Sequence, residues 1–110
     1  WTSFSVAKSL TATLFGAAVK DGKLKLSDPV TRFLPELKGS AYDGVTVEQV
    51  LTMSSGARWN EDYTDPASDV ARMFSLPTPP GGDAIVNYMK RLTRAHPPGT
   101  RFNYNTGETN

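Results

Sequence analysis

The chain has 110 residues, with 12 Lys and Arg against 11 Asp and Glu, a formal net charge of +1 and no cysteine. Charges so balanced, and scattered without runs, leave no electrostatic footprint for a nucleic acid or an anionic membrane surface, and the missing thiols exclude disulfide frameworks, thiolate metal sites and cysteine nucleophiles. Leu, Ile, Val and Phe supply only 23 residues, a thin core for one domain, yet the near-zero charge argues against disorder.

Trp1-Thr2-Ser3-Phe4 carries neither an initiator Met nor a basic leader, so the start reads as the interior of a longer polypeptide. No apolar run approaches the roughly 20 residues of a membrane span. Cytoplasm, periplasm and secretion are all compatible with this composition.

In chain order, Val6, Leu10, Leu14, Ala17 and Ala18 recur at intervals of three and four, which predicts a helix from Ser5 to about Lys20, ended by Asp21-Gly22. Leu24 and Leu26 fall in a short extended piece. Ser27-Asp28-Pro29 reads as a cap with Pro at the first helical position, opening one turn through Phe33-Leu34 that Pro35 stops. Thr46-Val47-Glu48-Gln49 matches a capping box and predicts a helix carrying Val47, Val50, Leu51 and Met53, closed by Gly56. Asp65-Pro66 predicts a further helix start before Val70, Met73 and Phe74. Pro77 to Gly82 form a rigid loop, and Asp83 opens a helix with Ile85, Val86, Met89 and Leu92. Arg101 to Tyr104 form a short extended segment. Five helical pieces and almost no strand describe a mostly α chain, since the β-branched runs that strands need are absent.

Ser5-Val6-Ala7-Lys8 places a hydroxyl and an amine one helical turn apart on the same face. A serine becomes a nucleophile when a base takes its proton, and a lysine serves as that base where burial disfavours its charged form. A serine at the first turn also has free helix amides beside it, so its own N–H can form half of an oxyanion hole. With 9 Ser and 6 Lys in the chain, the spacing also arises by chance, and Ser5 as a mere cap with a solvated Lys8 is the bland reading. The small, apolar run Ser9-Leu10-Thr11-Ala12-Thr13-Leu14 after Lys8 strengthens the chemical reading without displacing the bland one. The other polar groups look structural. His96 sits beside Pro97-Pro98 with no neighbouring carboxylate, Glu61-Asp62 and Asp65 lack metal-ligand spacing, and Trp59 and Tyr63 read as packing anchors rather than a pocket wall.

Four blocks in order resemble one family: Ser3-Phe4-Ser5-Val6-Ala7-Lys8-Ser9; Asp21-Gly22-Lys23-Leu24-Lys25-Leu26-Ser27-Asp28-Pro29-Val30 with Phe33-Leu34-Pro35-Glu36-Leu37; Val45-Thr46-Val47-Glu48-Gln49-Val50-Leu51-Thr52-Met53-Ser54-Ser55-Gly56; and Pro98-Gly99-Thr100-Arg101-Phe102-Asn103-Tyr104. The resemblance is to the class C serine β-lactamases and their relatives of the penicillin-recognising fold, the DD-peptidases, esterases and 6-aminohexanoate-dimer hydrolases, and it runs the whole length. It implies that residues 1–110 are the helical part of a larger α/β serine hydrolase, packed on an antiparallel sheet contributed by other parts of the chain and not folding autonomously.

The same resemblance makes Ser5 the acylated nucleophile, Lys8 its proton partner and Tyr104 the phenol of the second motif, Tyr-x-Asn. Here that motif reads Tyr104-Asn105-Thr106, so Thr106 takes the substrate-binding third place and β-lactam specificity is open while acyl transfer is intact. The third motif, a Lys/His-Thr/Ser-Gly strand expected to supply the second oxyanion amide, does not occur. The expected partner is a small ester or amide, with no cofactor and no metal. Two rival readings stand beside this one: a non-catalytic relative binding peptide or peptidoglycan, and a free-standing helical interaction domain.

Overall fold

The computed structural model describes residues 2–77 and 80–110. Trp1 of the expected chain start and Pro79 of the expected rigid loop lie outside the described residues. The helices are α1 (Val6–Lys20), α2 (Val47–Leu51), α3 (Asp69–Ser75), α4 (Ala84–Met89) and α5 (Thr106–Thr109), with two 3-10 turns, Val30–Arg32 and Pro35–Leu37, between α1 and α2. Among the described residues extended pairing is limited to two isolated antiparallel bridges, Pro29 with Thr46 and Ala57 with Arg94.

Helix α1 ends as Asp21-Gly22 predicts. The Gly22 N–H reaches Val19 O at 3.0 Å and the Lys23 N–H reaches Ala18 O at 2.9 Å, a Schellman closure that requires the left-handed Gly22, at φ +69°. The face α1 turns inward is not the one its leucines mark. Lys8, Thr11, Phe15 and Ala18 are half-buried, whereas Val6, Leu10 and Leu14 are exposed, and no α1 residue is fully buried.

Two boundaries move for local reasons. Pro35 does not stop the preceding turn but starts the second one, as its first residue; with its φ already set and no N–H to satisfy, proline suits that place. The Thr46 capping box forms in both directions, Gln49 N–H to Thr46 Oγ1 at 3.3 Å and Thr46 N–H to Gln49 Oε1 at 3.0 Å. Helix α2 nevertheless ends at Leu51 rather than near Gly56, because Met53 turns left-handed at φ 51°. Gly56, at φ +79°, serves a close approach: a Cβ there would lie 2.0 Å from the His96 carbonyl oxygen.

Asp65 caps a turn, accepting from the Ala67 N–H at 2.8 Å, and Ser68 is the cap of α3, accepting from the Ala71 N–H. Asp83 opens α4 as expected, accepting from the Ile85 and Val86 N–H groups at 2.8 and 3.0 Å, although Leu92 lies beyond that helix. The core sits in the body from Val30 to Met89, around Val45, Val47, Val70, Met73, Tyr88 and Trp59, with the Trp59 and Tyr88 rings edge to face.

This body delivers residue 104. The chain after α4 runs back along residues 53–58, through Arg58 N–H to Thr93 O, Ala95 N–H to Gly56 O, Gly99 N–H to Ser54 O and Asn103 N–H to Met53 O, all between 2.7 and 2.9 Å. Arg101 to Tyr104 lie in neither helix nor strand, and α5 follows after Asn105. That short helix packs tightly on α4, since a Cβ at Gly107 would lie 2.5 Å from Met89 Sδ.

Candidate active site

Ser5 stands at the N-cap of α1, where its side chain makes no capping bond. Its hydroxyl instead hydrogen-bonds Tyr104 Oη at 2.7 Å, across 99 residues of sequence. The Lys8 Nζ, one turn along α1, lies 5.5 Å from the centroid of the Tyr104 ring, within reach of a cation–π attraction. The fold therefore gathers Ser5, Lys8 and Tyr104 at one point.

Phe4 precedes the serine in the left-handed region, at φ 45°, a conformation that costs a bulky residue about 1–3 kcal/mol. The turn so made sends the Val6 N–H back to Ser3 O at 3.2 Å and leaves the Ser5 N–H without an acceptor among the described residues. Ser5 is solvent-exposed and Lys8 half-buried. Beyond Lys8 an apolar cavity of about 460 Å³ opens between α1 and the body, bounded by Phe15, Leu24, Val50, Leu51 and Glu108.

Tyr104 is held from both sides. On one side Asn103 is fixed by its N–H and by its Nδ2, which donates to Trp59 O at 3.1 Å. On the other, Thr106 binds Glu61: its N–H donates to Oε2 at 3.0 Å and its hydroxyl to Oε1. Thr106, expected as a substrate-binding side chain, is thus buried with its hydroxyl turned onto Glu61.

Glu61 gathers two more donors, Trp59 Nε1 on Oε2 and Tyr63 Oη on Oε1 at 2.6 Å. Burial by itself would raise this carboxyl; the hydrogen bonds from Thr106, Tyr63 and Trp59 outweigh it and hold the group below its ordinary value. Among the described residues no group of three or more potential ligands is placed to hold a metal ion. Trp59 is buried. Tyr63 is exposed. His96 is half-buried, its Nε2 3.3 Å from Arg101 Nη1.

A second carboxyl, Glu108, belongs to α5. Asn105 caps α5 by accepting from the Glu108 N–H at 3.2 Å, and Glu108 Oε1 accepts from Tyr42 Oη at 3.1 Å, from Asn105 Nδ2 at 3.3 Å and from Ser55 Oγ. Its Oε2 is buried with no partner among the described residues. Burial pushes this carboxyl up to about 7, against the opposing hydrogen bonds from Ser55 and Tyr42. The sequence weighs Glu61 only as a metal-ligand candidate that lacks the spacing, and it assigns no role to Asn105 or Glu108. Asn105-Thr106-Gly107-Glu108 carries the cap spacing that announces α5; Glu61 has local donors in Trp59 and Tyr63, and only tertiary structure adds Thr106.

The chain belongs to the beta-lactamase family, whose profile matches residues 1–110. It is 52% identical over 66 residues to a 6-aminohexanoate-dimer hydrolase of Paenarthrobacter ureafaciens, a match covering 60% of this chain and 17% of that protein. It is 46% identical over 52 residues to a beta-lactamase of Pseudomonas fluorescens, covering 47% of this chain and 14% of that one. A solved structure from Bacillus anthracis, provisionally described as a 6-aminohexanoate-dimer hydrolase, superposes over 96% of this chain and 30% of its own with a TM-score of 0.75 and 23% identity, a likeness of fold. The chain thus spans 14–17% of the length of these curated relatives.

Proposed function

We propose that this chain carries the nucleophile half of a serine acyl hydrolase acting on a carboxylic ester or an amide. The observation that supports it most is the 2.7 Å contact between Ser5 Oγ and Tyr104 Oη with the Lys8 amine over the same ring. A hydroxyl without a base is a poor nucleophile, and this grouping gives it an outlet for its proton.

In the proposed reaction Ser5 Oγ bonds to the substrate carbonyl carbon while its proton passes through the Tyr104 hydroxyl to the Lys8 amine. The carbonyl oxygen becomes an oxyanion facing the Ser5 N–H, which has no acceptor among the described residues, at the N-terminus of α1, where the helix dipole favours negative charge. Collapse breaks the bond to the alkoxide or amine leaving group, which takes the proton away. Water then attacks the acyl-serine, gives its proton back along the same relay and releases the acid, restoring the Ser5 hydroxyl.

The relatives' names supply two amide classes, a 6-aminohexanoate dimer and a β-lactam. Thr106 stands where a Tyr-x-Asn motif has its carboxamide, with its hydroxyl turned to Glu61, and this favours esters and linear amides over β-lactams. A fluorophosphonate should add one phosphonyl group to Ser5 of the full-length protein, read by intact and peptide mass spectrometry, and Ser5→Ala should abolish it. Labelling elsewhere with Ser5 untouched would refute the assignment and favour a ligand-binding relative without the chemistry.

A further inference from the structure

We propose that Glu61 is a positioning residue for Tyr104: its carboxylate anchors the Thr106 end of the segment 103–106, so that the phenol is held against Ser5. The inference rests on the acyl-hydrolase reading and deepens it by naming the group that sets the geometry of the proton outlet. Loop carboxylates are ordinarily solvated, whereas this one takes four protein donors, Thr106 N–H at 3.0 Å, the Thr106 hydroxyl, Tyr63 Oη at 2.6 Å and Trp59 Nε1. Two of them come from Thr106, two residues beyond Tyr104.

The other end of the segment is tied independently, by Asn103 to Met53 O at 2.9 Å and to Trp59 O at 3.1 Å. Tyr104 is therefore the free middle of a clamped span, and releasing one clamp lets its hydroxyl drift from Ser5. A misplacement of about 1 Å in a reacting group costs on the order of 10²-fold in rate. Trp59, next to the Asn103 tie, also donates to Glu61, so the carboxylate joins both clamps.

The donors differ in what they tolerate. The Thr106 N–H and the indole N–H, both on Oε2, can only donate, while the Tyr63 and Thr106 hydroxyls on Oε1 can rotate and accept. A glutamine with its oxygen at the Oε2 position and its NH₂ at the Oε1 position satisfies all four. Alanine leaves a buried backbone N–H and an indole N–H unpaired.

The test is single-turnover acylation of the full-length protein by a saturating activated ester, with the Ser5 stoichiometry measured on each variant. Glu61→Ala should slow acylation about 10²-fold while every molecule still acylates once, with KM within about threefold; Glu61→Gln should recover the rate to within about fivefold. A purely structural role would lower the stoichiometry and leave the rate per labelled site unchanged, and that result overturns the proposal.

Should Glu61→Ala fail to fold, Thr106→Val keeps the backbone bond and removes the hydroxyl one. It should slow acylation about tenfold, and a parental rate there also overturns the proposal. A parent protein that does not acylate at Ser5 refutes the hydrolase reading instead. The positioning claim is then decided by the crystal structure of Glu61→Ala or Thr106→Val: a Tyr104 hydroxyl displaced from Ser5 supports it, and one still within hydrogen-bond distance sinks it.

Discussion

Replacing Glu108 by Gln should change how stability depends on pH without changing shape. The Gln oxygen keeps the Tyr42, Ser55 and Asn105 donors, and its NH₂ takes the place of Oε2, which has no partner among the described residues. In the folded protein the Glu108 carboxyl sits at about 7 against an ordinary 4.5. A carboxyl raised on folding supports the native state while neutral, so its contribution is complete below about 4.5 and is lost as pH climbs through about 7. At roughly 1.4 kcal/mol for each pH unit, the full swing is about 3 kcal/mol. Urea unfolding of the full-length parent and Glu108→Gln between pH 5 and pH 8 measures most of it: the variant should gain about 2–3 kcal/mol relative to the parent as pH rises. Stability curves that run parallel over that range would show that Glu108 ionises in the folded protein as it does in the unfolded chain, and the account of its burial would be wrong.

Lys8→Ala should lower the Ser5 acylation rate by about 10²–10⁴ while α1 persists, since alanine is at least as good a helix former; near-parental acylation would reduce Lys8 to a half-buried surface charge. Expressed alone, residues 1–110 should aggregate or melt broadly, because Val6, Leu10, Leu14 and Phe102 are left exposed and α1 buries no residue completely. Such a protein should also not turn over p-nitrophenyl esters above background. A sharp two-state transition from a monomer would favour a free-standing helical domain.

Local chemistry was legible where a few adjacent residues decide the outcome. The ends of α1 at Gly22, the Thr46–Gln49 capping box and the Asp83 cap all follow from the residues themselves, because a cap needs only side chains within about three positions. The one-turn spacing of Ser5 and Lys8 is likewise a property of sequence plus helix geometry. The four-block resemblance, with Tyr104 as the second motif, pointed to the family that the comparison establishes.

What tertiary structure alone decided is which faces and which carboxyls matter. Periodicity marks Val6, Leu10 and Leu14 as an apolar stripe without saying what covers it, and in the structure the half-buried face is Lys8, Thr11, Phe15 and Ala18. Met53 cuts α2 short and Ser68 takes over as the cap of α3, outcomes set by the path the chain takes through the body rather than by propensity. Nothing in the sequence separates Glu61 from Glu108 as acids, yet one lies below its ordinary value and the other rises to about 7. Glu61 takes Trp59 and Tyr63 from its own loop and Thr106 from 45 positions away, so both its oxygens are supplied, whereas Tyr42 and Ser55, 66 and 53 positions from Glu108, crowd with Asn105 onto one oxygen and leave the other buried without a partner among the described residues. A carboxyl's state depends on how many donors surround it and how much water is removed, and the Thr106 bonds to Glu61 and the burial of Glu108 are fixed only when distant segments meet.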